Sequence, residues 1–238
     1  PGAALALRPL DNVGVQYGLT AFNEGAITFE QFATLNEDVG GIDLDGKPQP
    51  TRHAADLAGV QAAYETGRVS TGVGDQRKIP IIEVDRYDDP EGAPNDRFRA
   101  FALRDRLTLG ASAKTVPSFQ IWTRDAPAPD SGPEAVAAVD EWTTLLVEGP
   151  GGGSRSEQLE RTRPDEAVDN CLPPGATTPA RGTEVYEEDG PCVESYPVLG
   201  NPRTAAGAPR SDDVLKCQLK PVDPDDYERP LTSTQLTR

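Results

Sequence analysis

The sequence contains no methionine, a single histidine and only three cysteines. It has no Gly-x-Ser-x-Gly turn, the strand-to-helix turn that carries the nucleophile of many hydrolases. No apolar run approaches the ~18 residues that cross a membrane, and no charged-then-apolar leader opens the chain. We therefore expect no membrane contact, and we expect that any signal peptide has already been removed.

Positive charge is also scarce. The 238 residues carry a formal net charge of −16, spread along the chain rather than held in one tail. Such a surface repels nucleic acid and anionic membranes, so neither is an expected partner. The chain contains 23 glycines and 23 prolines, well above average usage, which predicts long and numerous loops.

The three cysteines all lie after residue 170, in a stretch rich in proline and glycine. No Cys-x-x-Cys or Cys-x-x-His spacing occurs, so a zinc site is not expected. Late cysteines in a loop-rich segment are typical of an oxidised, extracellular chain. We predict a disulfide between Cys171 and Cys192, which leaves Cys217 either free or bonded to a partner outside this chain.

Residues 1–75 are predicted to form a helical cap or flank. Asp11 begins a first helix that ends near Gly25, and Thr28 with Gln31 forms a capping box for a second helix that Gly40 stops. A third helix is predicted over residues 54–66, with apolar residues at core spacing.

Residues 76–148 change to an alternation of strands and helices. Strands are predicted over residues 79–84 and 118–122, and helices over 96–109 and 131–147, the second with Pro133 in its first turn. This order implies parallel pairing and an α/β sheet. Residues 149–238 begin with a flexible glycine-rich joint and are predicted to form a loop-rich wrapping tail that holds the cysteines.

Two short patterns have ordinary interpretations. Asp43, Asp45 and Gly46 match the first half of a calcium loop but lack its closing glutamate, so a turn is favoured. His53 has no second histidine or cysteine nearby and is interpreted as a surface or helix-cap residue.

The loop that follows the first predicted strand is rich in acids. A solvated loop is the simpler interpretation. Its position favours function, since ligands and catalytic acids of open α/β sheets gather at the carboxyl ends of strands. The acids between residues 85 and 96 are Asp85, Asp88, Asp89, Glu91 and Asp96.

Four stretches together resemble a family of secreted bacterial proteins, a domain of unknown function similar to α/β hydrolases of the tannase and hydroxybutyrate-oligomer-hydrolase type. They are RPLDNVGVQYGL at residues 8–19, VGGID at 39–43, IPII at 79–82 and DVLKCQLKPVD at 213–223. The resemblance spans essentially the whole chain. It implies that this is the C-terminal portion of an α/β-hydrolase-like sheet, and that a further cysteine follows outside this chain.

The resemblance also assigns two site residues. Asp89 matches the family's acid, and Asn95 falls where the family carries a histidine. Because asparagine cannot accept and release a proton near neutral pH, a hydrolase with Asn95 is expected to be impaired. Three accounts remain open: the protein is a natural inactive relative, the loop is aligned wrongly and the base lies elsewhere, or the sequence was read imperfectly.

The sequence therefore predicts part of a secreted serine-esterase-like hydrolase that acts on carboxylic esters. Its nucleophile is expected on an absent segment or on a second polypeptide that carries the N-terminal half. No cofactor or metal is implied. The alternative is a non-catalytic extracellular binding or scaffold subunit, with the acidic loops as its partner surface.

Overall fold

A computed structural model of the protein describes residues 6–92, 95–111, 116–125, 128 and 130–237. The chain divides into two compact units. Residues 1–70 and 200–238 form the first unit, and residues 71–199 form the second. The predicted division into residues 1–75, 76–148 and 149–238 stays a prediction.

The first unit contains three helices and a short hairpin. The helices are α1 (Leu19–Asn23), α2 (Phe29–Asp38) and α3 (Leu57–Glu65), and the antiparallel strands are β1 (Gly41–Ile42) and β2 (Pro48–Gln49). The capping box at the start of α2 is confirmed, since the side chains of Thr28 and Gln31 each bond the other's backbone N–H.

The first predicted helix is largely wrong. Residues 11–18 form turns, and α1 begins only at Leu19. Gly14 and Gly18 have φ values of 84° and 78°, a left-handed conformation that interrupts a right-handed helix. Asp11 does not cap a helix but lies buried, with its Oδ2 atom 2.7 Å from the Nζ atom of Lys216. This ion pair joins the two longest family-like stretches within the first unit.

The second unit is built on a four-stranded sheet in the order β3-β4-β5-β6. The strands are β3 (Ile81–Tyr87), β4 (Phe119–Asp125), β5 (Asn170–Leu172) and β6 (Ala180–Arg181). β3 pairs with β4 and β4 with β5 in parallel, and β6 is antiparallel to β5. The helices are α4 (Phe98–Ala111), α5 (Gly132–Glu148), α6 (Arg155–Thr162) and α7 (Pro191–Ser195). The predicted α/β class and the alternation of strands and helices are confirmed.

Apolar clusters lie on both faces of this sheet, as a parallel sheet requires. On one face Trp122 packs with Trp142 of α5 and Leu159 of α6, while on the other Phe101 of α4 packs with Phe119 and Ile121. Because side chains alternate along a strand, Ile82 and Val84 of β3 pack on the α5 side and Ile81 on the α4 side.

The predicted disulfide between Cys171 and Cys192 is present and connects β5 to α7. Both cysteines are buried in a cluster with Val185 and Tyr196. Cys217 forms no disulfide within the chain. Among the described residues, no helix is long and apolar enough to cross a membrane.

Candidate functional site

The acidic loop lies between the carboxyl end of β3 and the start of α4. After β3 ends at Tyr87, Asp89–Glu91 form one 3-10 turn, and α4 begins at Phe98. Ala93 and Pro94, also in the predicted loop, lie outside the described residues. A cleft of about 460 Å³ opens here, lined by Glu83, Val84, Asp85, Arg86, Asp88, Asn95, Asp96, Arg99 and Ala100.

Asp89 is buried and accepts a backbone hydrogen bond at the start of α4. Its two carboxylate oxygens accept the backbone N–H of Arg97 at 3.0 and 3.2 Å. A carboxylate here satisfies a helix-start N–H and interacts favourably with the positive end of the helix dipole. Burial raises the pKa of Asp89, and the hydrogen bond from Arg97 opposes that rise. Asp89 is not among the described residues that line the cleft.

Asn95 is exposed and lines the cleft two residues before Arg97. Of the two residues assigned by resemblance, Asn95 is among the described residues that line the cleft, while Asp89 is buried in the 3-10 turn of the loop. A side chain at position 95 can meet a bound ligand, but an amide cannot move a proton at neutral pH.

Asp85 was not singled out from the sequence, but it is the most deeply buried of the acids that line the cleft among the described residues. It lies within β3, paired in register with Thr123 of β4, and is 8% exposed. Its Oδ2 atom is buried and has no hydrogen-bond partner among the described residues. Burial raises the pKa of Asp85 to about 7, helped by the negative charge of Asp89 and opposed by Arg97.

Arg97 places a buried positive charge near Asp85. Its side chain is fully buried, and its guanidinium carbon lies 5.1, 4.9 and 6.0 Å from the ring centres of Phe101, Tyr186 and Tyr196. Its Nη1 atom donates to the carbonyl oxygen of Cys192 at 3.1 Å. The Nε and Nη2 atoms have no hydrogen-bond partner in the part of the chain that the structure describes. Burial in this aromatic surrounding lowers the pKa of Arg97.

The partial calcium pattern forms a turn, as expected. The Oδ1 atom of Asp43 accepts the backbone N–H groups of Asp45 and Lys47 at 2.9 and 2.8 Å, so it closes the hairpin between β1 and β2. No cluster of three or more metal-binding side chains occurs within the described ranges.

His53 has a structural role in the first unit. Its Nδ1 atom accepts the backbone N–H of Ile42 at 3.2 Å, and the backbone N–H of His53 donates to the Oδ1 atom of Asn12 at 2.9 Å. Burial lowers the pKa of His53, followed by the positive charge of Arg8. It is half-buried rather than a surface residue, and it lies before the N-cap of α3, which is Asp56.

Comparison with known proteins gives one match. A family model described as "Tannase-like family of unknown function (DUF6351)" matches residues 1–238, the whole of the sequence. No curated protein and no solved structure matches the chain significantly.

Proposed function

The chain belongs to a tannase-like family of unknown function, and from this we propose that it is the C-terminal portion of a secreted serine-esterase-like hydrolase. The substrates would be carboxylic esters. The observation that carries the proposal is the cleft at the end of β3, where position 95 and several carboxylates line about 460 Å³ of open space. Open α/β sheets bind their ligands at this end of the strands.

The proposed chemistry is that of a serine, a proton-transferring group and an orienting acid. The serine attacks the ester carbonyl, the second group takes and returns its proton, and the acid fixes the second group's orientation. Asp89 has the attributes of the orienting acid, since burial and the N–H of Arg97 hold its carboxylate in place. Asn95 marks the position of the family's histidine.

The nucleophile is proposed to lie outside this chain, since the sequence contains no Gly-x-Ser-x-Gly turn. The unpaired edge of the sheet supports the presence of a further strand. β3 is seven residues long and lies at the edge, and no described strand pairs with its outer side. A long unpaired edge leaves backbone N–H and C=O groups without partners, which proteins usually cover. We propose that a second polypeptide, carrying the N-terminal half, pairs with β3 there.

Secretion is part of the proposal. The buried disulfide between Cys171 and Cys192 fits an oxidising compartment, since cytosolic proteins rarely keep such bonds.

A rival function is favoured by Asn95 itself. A chain without the family's imidazole would suit a non-catalytic extracellular binding or scaffold subunit. The cleft would then be a partner surface, with the carboxylates of Glu83, Asp85, Asp88 and Asp96 along it.

A fluorophosphonate probe separates the two functions. The probe reacts with an activated serine, so natively purified protein should be labelled on a polypeptide segment outside residues 1–238 if the hydrolase proposal is right. Absence of labelling on every chain in the sample would favour the binding subunit.

A further inference from the structure

The cleft contains acidic side chains that can transfer a proton, which the amide of Asn95 cannot do. Its titratable acids are Glu83, Asp85, Asp88 and Asp96. A proton-transferring group must reach the ligand, must be held in position, and must not be committed to another partner. The four acids differ in these respects.

Asp85 meets these conditions best. It lies on a strand rather than in the loop, with hydrogen-bonded pairing to β4 on its inner side. It lines the cleft, is more than nine-tenths buried, and keeps its Oδ2 atom without a hydrogen-bond partner among the residues described. By contrast, Glu83 is exposed by surface area, although burial raises its pKa as well, and Asp88 is half-buried. Asp96 also has a buried oxygen without a hydrogen-bond partner in the described part of the chain, its Oδ1 atom, but the residue is only half-buried and the Nε atom of Arg99 lies 3.8 Å from that oxygen.

Asp89 is held by a hydrogen bond, which suits the orienting acid of the proposed function rather than the proton-transferring group. Both of its oxygens accept the N–H of Arg97, which fixes them toward the helix start. Its charge still acts on Asp85 from nearby and disfavours ionisation of the strand carboxyl. The two acids therefore have different roles. Asp89 accepts the backbone N–H of Arg97, and Asp85 is left free to exchange its proton.

We infer that Asp85 is the proton-transferring residue of the cleft, in the role that a histidine at position 95 would have. The inference rests on the proposed function. Among the accounts of Asn95 it favours the one in which the base lies elsewhere, since it places the base on the strand beside the loop.

The proposed reaction takes place between the serine of the absent segment and an ester substrate. The Asp85 carboxylate takes the hydroxyl proton as the serine oxygen bonds to the acyl carbon, and the carbonyl electron pair moves to its oxygen. When that pair returns, the bond to the alcohol breaks, and Asp85 gives its proton to the leaving oxygen. Water then releases the acid by the same route.

The surroundings of Asp85 suit this exchange near neutral pH. The negative neighbours are Asp89, Glu83 and Asp88, and the other charged or titratable groups that act on it are Arg97 and Tyr87. With the pKa of Asp85 raised to about 7, both protonation states are populated at neutral pH.

The test is the pH profile of p-nitrophenyl acetate hydrolysis by the complete protein, including the serine-bearing segment. The rate should rise with pH, with a midpoint near 7. Asp85→Asn should remove that rise and lower the rate by ~10²–10⁴-fold, the usual contribution of acid–base catalysis. Asp88→Asn, which removes the same charge from the same cleft, should keep the rise, with its midpoint moved to slightly lower pH because Asp88 helps to raise the pKa of Asp85.

The outcomes distinguish the inference from the proposed function. No hydrolysis by the folded wild type contradicts the proposed function, and the role of Asp85 with it. Hydrolysis whose pH-dependent rise survives Asp85→Asn overturns the inference alone. Carboxyl ¹³C NMR of the same samples guards against a folding artefact. One aspartate resonance should titrate near pH 7 and disappear in Asp85→Asn while the other resonances are retained, and a wild type without such a resonance also overturns the inference.

Discussion

Both carboxylate oxygens of Asp89 accept the backbone N–H of Arg97, at 3.0 and 3.2 Å. This contact fixes the loop after β3 to the first residues of α4, and so sets the position of Asn95 at the cleft. It also directs Arg97 inward, where its guanidinium lies among aromatic rings and bonds the carbonyl oxygen of Cys192. The contact anchors the loop to the fold at Asp89, while residues 90–92 and Asn95 stay exposed.

Replacing Asp89 should therefore destabilise the second unit. Asp89→Ala removes the acceptor for a buried N–H at the helix start, and loss of such a cap costs ~1 kcal/mol. The free energy of unfolding, measured by urea denaturation, should fall by at least this amount. Asp88→Ala is the matched control because Asp88 is adjacent and only half-buried, and it should change stability less. Equal effects of the two substitutions would contradict the assigned role of Asp89.

The raised pKa of Asp85 makes stability depend on pH. The ordinary value is 3.8 and the folded value about 7, so between these pH values the folded state holds more protons than the unfolded state. The stability contributed by this residue therefore falls as pH rises from about 4 to about 7, by at most ~4 kcal/mol at 1.36 kcal/mol per pKa unit. Asp85→Asn should remove this dependence and be more stable than the wild type at pH 8. Parallel stability curves for the two proteins would show that Asp85 is not strained by burial.

Restoring an imidazole at position 95 should raise activity. In the complete protein, Asn95→His places a group of suitable pKa at the cleft, and aryl-ester hydrolysis should increase, by less than the ~10²–10⁴-fold that acid–base catalysis contributes in full because Asp85 already transfers the proton. Asn95→Gln, which keeps the amide, is the control and should give no gain. Asp89→Asn in the Asn95→His protein should lower the rate again if Asp89 orients the imidazole. No change in rate with Asn95→His would mean that position 95 is not a base position.

The same variant provides a double-mutant cycle with the strand acid. If Asp85 transfers the proton in the wild type, Asp85→Asn should cost less in the Asn95→His background, because the imidazole takes over the transfer. Equal costs in both backgrounds would show that the two positions act independently.

The disulfide should stabilise mainly the end of the sheet that contains β5. Cys171→Ala with Cys192→Ala opens the link between β5 and α7, and loss of such a bridge typically costs 2–4 kcal/mol. Hydrogen exchange should show the largest loss of protection within residues 157–200. Cys217→Ser is the control and should leave exchange in that region as in the wild type. Uniform loss of protection across both units would show that the bridge supports more than the local cluster.

The sequence predicted the elements that have strong local patterns. The apolar run around Ile81, the helix with Pro133 in its first turn and the capping box at Thr28 all appear in the structure. β5 and β6 were missed because they have only three and two residues, and their pairing is decided by distant partners. A pattern of helical spacing after Asp11 was misleading, since Gly14 and Gly18 adopt left-handed conformations there.

The position of the site could be predicted from the sequence, but the roles of its individual acids could not. The acids and Asn95 were expected at the carboxyl end of the first strand, and they lie there. Both Asp85 and Asp89 are buried, and what separates them is hydrogen bonding, which depends on how the chain folds between β3 and α4. The strand was predicted to end at Val84 but continues to Tyr87, so Asp85 appeared to belong to the loop. The sequence did contain a signal that Asp85 belongs to the strand, since Asp85 continues the alternation of side chains along it.

The most direct measurement is the identification by mass spectrometry of the residue that a fluorophosphonate modifies in the complete protein. The hydrolase account predicts one modified serine, on a segment outside residues 1–238, with labelling that slows in Asp85→Asn. A complete, folded protein in which no serine is modified would contradict the account.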